Sequence, residues 1–168
     1  MSLSRLCQRC GLCCDGSLFS HVPLQPEEAG PARRHGLDVE ELVGGAPALR
    51  QCCTALKNRQ CTLYAQRPER CRAYGCRLYH ALASGQVSVD EAFSVVDQAH
   101  ALLAALDESL PPDTDVRPSP VMERARFADL SEHGLSPETR ALRERTEALL
   151  DAHFHGGPRH FGEGSGEP

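Results

Sequence analysis

The chain contains no tryptophan, and phenylalanine and tyrosine bring its aromatic content to only 5% of 168 residues. Glycine and proline, by contrast, occupy 14 and 12 positions. Large core-forming side chains are therefore scarce, above all in the N-terminal half, and something besides apolar packing is expected to help hold that half together. No stretch approaches the roughly 18 apolar residues that a membrane-spanning helix needs. The opening MSLSRLCQRC has neither an apolar h-region nor a small-residue cleavage site, which predicts no signal peptide, no membrane partner and a cytoplasmic location. Catalytic motifs are equally sparse. There is no Gly-rich phosphate loop, no G-x-S-x-G, no H-E-x-x-H and no radical-type C-x3-C-x2-C run, so the sequence leaves open whether the protein is an enzyme.

What the chain does have is cysteine. Nine thiols lie between Cys7 and Cys76, and four of them fall in the run CQRCGLCC as Cys7, Cys10, Cys13 and Cys14. Three chemistries call for thiols that dense: a disulfide knot, a structural zinc site or an iron–sulfur cluster. A cytoplasmic compartment keeps thiols reduced, which favours metal over disulfides, and an odd count leaves at least one cysteine outside any full set of bridges. The C-x2-C-x2-C spacing lets a tight turn aim successive sulfurs at one metal, as in zinc knuckles and bacterial ferredoxin runs. Cys13 and Cys14 fit one tetrahedral metal less easily, because neighbouring side chains on an extended backbone point to opposite sides. The vicinal pair implies two sites, or two metals of one larger site, on either side of that segment.

The other cysteines, Cys52, Cys53, Cys61, Cys71 and Cys76, are spaced more widely. On one unbroken helix Cys71 and Cys76 would stand about 140° apart, so both reach one site only if the helix starts or breaks between them. Pro68 predicts a start and Gly75 a break. A low-pKa cysteine nucleophile would suit such arginine-rich surroundings, but ligation would occupy the thiol.

Charge follows the cysteines. Residues 1–80 carry 11 Lys/Arg against 7 Asp/Glu, whereas residues 81–168 carry 7 against 16. A basic half is one footprint of a nucleic-acid partner. Metal-bound thiolates would each add negative charge that a formal count omits, and nearby arginines would stabilise it, so the basicity argues only weakly for a polyanion and nucleic acid is not expected.

The pattern predicts a mostly α-helical protein in three parts. A cysteine-cluster metal-binding unit of short irregular segments spans 1–84, a helical part packed on it spans 85–155, and a polar, glycine-rich tail spans 156–168, where too little apolar surface is available to offset ordering. Within the first unit, LFSHVPL reads as a short extended piece ending at Pro23. A helix starts at Pro26, with Glu27 and Glu28 suiting the helix dipole, and a second short helix is expected on DVEELV, where Asp38 and Glu41 have capping-box spacing and GGAP ends it. Ser88 with Glu91 caps a longer helix that turns Phe93, Val96, Leu103 and Leu106 inward as far as Leu110. Residues 121–132 read as a shorter helix. Ser136 and Pro137 begin the last one, with Leu142, Leu149 and Leu150 inward.

Taken together, the two cysteine groups resemble a known family. CQRCGLCC is followed by C-x2-L…C-x2-Y-x2-R-P-x2-C-R…C on Cys53, Leu56, Cys61, Tyr64, Arg67, Pro68, Cys71, Arg72 and Cys76. The combination is similar to the CxxCxxCC cysteine-cluster family, whose YkgJ-like bacterial members are described as zinc- or iron-chelating and often as iron–sulfur proteins. The likeness runs over residues 7–79 and implies eight ligands: Cys7, Cys10, Cys13, Cys14, Cys53, Cys61, Cys71 and Cys76. Cys52 is left as the odd thiol. Eight thiolates suit two zinc ions, two cubane clusters, or one of each, and sulfur donors argue against Mg, Ca or a two-His iron enzyme. An iron–sulfur cluster is the favoured expectation and zinc the alternative, in a redox protein or the metal part of a modifying enzyme; some relatives are linked to methylation of flagellin lysines. The competing reading is a zinc-stabilised structural or protein-interaction module without catalysis, which leaves room for a protein partner. His21, His35 and His80 read as surface or packing residues. Tyr64 reads as a shield for the site or an ordinary half-buried tyrosine, and Arg67, Arg70, Arg72 and Arg77 as counter-charges for thiolates or a solvated basic face.

Overall fold

The computed structural model describes residues 2–112, 118–131 and 134–156. The tail expected to be disordered falls, apart from Gly156, outside the described residues. Seven α-helices and five strands of two to four residues are present among them, so the fold is mostly α.

Helix α1 (Ser2–Cys10) takes up the first half of the cysteine run. Leu6 and Cys10 are one turn apart and both buried, the spacing that puts two side chains on one helix face. On the exposed side, Arg9 donates to Asp97 at 2.7 Å and lies over the Phe93 ring, 4.7 Å from its centroid. Gly11, with φ +70°, ends the helix in the left-handed region. A Cβ there would come within 2.9 Å of the Arg59 carbonyl oxygen, so glycine is needed for close approach as well as for φ. Residues 12–14 form a turn. The extended backbone expected at Cys13 and Cys14 is thus absent, because the chain is turning there.

Strand β1 (His21–Pro23) and helix α2 (Pro26–Arg34) lie where the sequence puts them. DVEELV differs from expectation: Val39–Glu41 is strand β2, paired antiparallel with β3 (Pro47–Arg50), which also pairs with β1. The cause lies downstream. Gly44 and Gly45, at φ +97° and +79°, turn the chain back after Leu42, and the Leu42 amide donates to the Ala46 carbonyl at 2.9 Å. Hairpin closure sets Val39 opposite Leu49, which outweighs a capping pattern with too few residues behind it to propagate a helix.

Strands β4 (Leu56–Lys57) and β5 (Gln60–Cys61) form a second hairpin around Asn58 and Arg59, both at positive φ, as a two-residue turn of that hand requires. A single 3₁₀ turn at Tyr64–Gln66 leads to α3 (Glu69–Ala73) and α4 (Arg77–Ala83). The chain breaks between them at Gly75, as expected. That glycine is buried against His80, whose Nε2 would stand 2.7 Å from a Cβ at this position.

Helix α5 (Val89–Ser109) opens with the predicted capping box: the Ser88 amide donates to Glu91 at 2.7 Å and the Glu91 amide to Ser88 Oγ at 3.2 Å. Ala92, Val96, Ala99, Leu103 and Leu106 are its buried face, and Phe93 is packed at the margin. Helices α6 (Val121–Leu130) and α7 (Pro137–His153) complete the bundle, α7 capped by Ser136 Oγ accepting from the Thr139 amide at 3.1 Å. Two cores result. The larger joins Leu6, Cys10 and Leu12 to Leu78 and the inner faces of α5, α6 and α7, ending at Phe154. The smaller consists of Val22, Leu24, Ala32, Leu37, Leu49 and Ala55 in the sheet region.

Candidate metal centre

Between the two cores lies a cavity of about 100 Å³. Its walls carry Leu6, Leu78 and Phe154 from the larger core and Val22, Leu37, Leu49 and Ala55 from the smaller one, and eight cysteines open onto it: Cys7, Cys10, Cys13, Cys14, Cys53, Cys61, Cys71 and Cys76. These are the eight that the sequence pattern singles out. Cys52 is elsewhere, its Sγ donating to the Asp15 carbonyl at 3.0 Å. Among the described residues, no histidine and no carboxylate lines the cavity; His35 and His80 are exposed, and His21 faces Glu40 at 3.3 Å.

Each thiol has an identifiable support. Cys7 and Cys10 ride on α1, which α5 fixes through Arg9 and through His100, whose Nε2 donates to the Cys10 carbonyl at 2.7 Å. Cys13 and Cys14 follow in the turn, and the Cys14 carbonyl accepts from the Cys53 amide at 2.7 Å. Cys61 sits in β5 opposite Leu56. Glu28 closes the start of α2 by accepting from the Gln25 amide at 3.0 Å, and its other oxygen accepts from the Glu69 amide at 2.8 Å, which sets the start of α3 and so Cys71. Cys76 is the N-cap of α4, its Sγ accepting from the Tyr79 amide at 3.3 Å.

Burial dominates the acidity of Cys7, Cys10, Cys13, Cys14, Cys53, Cys71 and Cys76, since a thiolate loses solvation in an apolar wall. It pushes Cys7 up to about 11, with Cys76 adding to the rise and Arg67 opposing it. Cys71 rises to about 12, where burial is reinforced by Cys53 and opposed by Arg67. Cys10, Cys13, Cys14, Cys53 and Cys76 are all raised for the same leading reason. Arg67 is held for its part by its own hydrogen bond to the Tyr64 carbonyl at 2.9 Å and by stacking 3.6 Å above the Tyr64 ring, so Tyr64 and Arg67 act as one unit on the cavity wall. Arg59 also lines it, whereas Arg72 and Arg77 are exposed.

The donor set fits a soft metal. Sulfur alone, in an apolar enclosure with arginine nearby, suits zinc or iron–sulfur and not hard oxygen-seeking cations. The cavity wall also holds an orphaned polar atom: Gln51 is buried, and its Oε1 has no hydrogen-bond partner among the described residues. Among those residues, no three His, Cys, Asp or Glu side chains are already gathered as metal ligands.

Sequence reasoning missed Phe19, Arg59, His100 and Phe154. Tyr74, also missed, packs edge-on to Phe19 with ring centroids 4.8 Å apart and donates to the Phe154 carbonyl at 2.6 Å. No local signal marks them, because each reaches the site through tertiary packing.

A small helical protein wrapped around a thiol-lined cavity is the class that fold and site define. The model of the CxxCxxCC family, described as a putative zinc- or iron-chelating domain, matches residues 6–94, and the chain belongs to that family. Neither a curated protein nor a solved structure matches it. Among the described residues, no helix is long and apolar enough to cross a membrane.

Proposed function

We propose that this protein carries iron–sulfur chemistry in the cavity, held by Cys7, Cys10, Cys13, Cys14, Cys53, Cys61, Cys71 and Cys76, and serves as a one-electron redox component. The observation that carries the reading is the cavity itself: eight thiols around about 100 Å³ of enclosed, mostly apolar space. A buried water needs only about 10–15 Å³, so bridging sulfide has room alongside metal. Bound there, such a cluster would supply reversible electron transfer, with its potential set by burial, nearby charge and hydrogen bonds to sulfur. The chain's own contributions are identifiable. The Tyr79 amide donates to Cys76 Sγ, Arg67 offsets charge at Cys7 and Cys71, and Phe19, Tyr74 and Phe154 keep water out.

Protein purified without oxygen should contain iron and inorganic sulfide and absorb broadly in the visible. Colourless protein with stoichiometric zinc would replace this reading with that of a zinc-stabilised scaffold, whose role would then lie on its helical surface.

A further inference from the structure

The eight cavity thiols fall into two groups of four, and the division does not follow the two sequence groups. Cys7 and Cys10 lie on α1, Cys13 stands three residues further on in the turn, and Cys76 caps α4, which packs against α1. Cys10 belongs to the larger hydrophobic core and Cys76 packs against it. Cys53, Cys61 and Cys71 instead pack against the smaller core. Cys14 joins this second set through the backbone, its carbonyl accepting from the Cys53 amide at 2.7 Å. We propose that the cavity holds two separate four-cysteine metal centres, one on Cys7, Cys10, Cys13 and Cys76 and the other on Cys14, Cys53, Cys61 and Cys71.

This rests on the reading of the eight thiols as ligands but does not depend on which soft metal they bind, because both zinc and cubane clusters take four thiolates. The arrangement also accounts for the vicinal pair: Cys13 and Cys14 sit in a turn and fall in different sets, so one peptide bond links the two centres.

The division interleaves the chain. The first centre takes three ligands from the N-terminal run and one from residue 76, while the second takes one from the run and three from residues 53–71. The first centre therefore closes a loop of 62 residues between Cys13 and Cys76 and the second one of 38 between Cys14 and Cys53, long loops whose closure by a metal clip restricts the unfolded chain strongly.

Metal per chain decides the matter, measured by native mass spectrometry with iron, sulfide and zinc analysis on the full chain purified without oxygen. Wild type should carry two centres. Cys10→Ser and Cys61→Ser should each lose about half of the metal, the double variant Cys7→Ser/Cys10→Ser no more than Cys10→Ser alone, and Cys10→Ser/Cys61→Ser nearly all of it. Cys52→Ser should retain the full complement. One centre per wild-type chain, or complete loss from Cys10→Ser in protein that keeps its helical circular dichroism, would overturn the division while leaving metal binding intact. Wild type free of metal would overturn the underlying reading and the division with it. Where a serine variant fails to fold, a wild-type count of one centre still overturns the division, and the variants that do fold test which cysteines share a centre.

Discussion

Phe154 offers the most direct test of how the helical bundle and the cavity are joined. It is 1% exposed, follows the last turn of α7, forms part of the larger core and lines the cavity. Truncating a phenylalanine so placed costs roughly 3–5 kcal/mol, the sum of lost transfer energy and a residual void. Against a total of roughly 5–15 kcal/mol for an ordinary domain, Phe154→Ala should lower the melting temperature by roughly 6–20 °C at about 2–4 °C per kcal/mol. Urea unfolding followed by circular dichroism would give the free-energy loss, with free metal held constant, since a ligand bound to the native state shifts apparent stability by mass action. Tyr74→Phe removes the donor to the Phe154 carbonyl and should cost about 1–3 kcal/mol, the penalty for leaving a buried acceptor unmade. Because both changes act on one junction, their effects should not add. A loss below about 1 kcal/mol for Phe154→Ala, or strict additivity with Tyr74→Phe, would refute the claim that this residue ties α7 to the site.

Gly16 has φ +88°, and a Cβ there would meet Pro120 Cγ at 2.3 Å, so Gly16→Ala should destabilise by roughly 2–5 kcal/mol, combining left-handed strain with overpacking; a neutral result in urea unfolding would contradict the close approach of this loop to α6. His100→Ala leaves the Cys10 carbonyl without its donor and should reduce both stability and metal content, with His100→Gln recovering part of each; unchanged metal content would show that α5 does not help position Cys10. Deleting residues 157–168 should leave metal content unchanged, because among the described residues none beyond Phe154 lines the cavity, and a large loss would show a contribution from that segment. Chelation of metal should speed amide exchange in β1 to β5 and α3 before α5 to α7, since six buried residues form the smaller core against fifteen in the larger among the described residues; simultaneous exposure of both would mean that the chain unfolds as one unit.

Local chemistry made the helical half legible. Ser88 and Glu91 announce α5, Ser136 and Pro137 announce α7, and Pro68 and Gly75 mark the start and break that separate α3 from α4. Each is a short-range rule about an orphan amide or a forbidden φ. DVEELV departs from the helix its sequence suggests because Asp38 and Glu41 obey the same short-range rule while the deciding interaction lies across a hairpin closed by Gly44 and Gly45. The Asn58–Arg59 turn gave even less warning, since turns of that hand usually advertise themselves with glycine, and here arginine takes a positive φ. For the site, the family resemblance implied eight thiols, and the same eight line the cavity. What sequence could not supply is which thiol stands beside which. That depends on the reversal at Cys13–Cys14 and on two cores packing from opposite sides, and neither is encoded within any one segment.

The shortage of aromatic residues and the abundance of thiols have one physical explanation. A three-stranded sheet of strands three to four residues long, with a two-stranded hairpin beside it, is marginal without a sizeable apolar layer to pack against, and the smaller core offers six buried side chains. Its remaining wall is the cavity, and the cavity's other wall is the helical bundle. Metal at Cys14, Cys53, Cys61 and Cys71 would tie the sheet region to itself, and metal at Cys7, Cys10, Cys13 and Cys76 would tie α1 to α4 within the bundle. The peptide between Cys13 and Cys14 then carries the connection that a continuous hydrophobic core would otherwise make. In such an arrangement metal affinity and folding free energy are one quantity, so the cysteines would stabilise the half of the molecule that its composition leaves short of core.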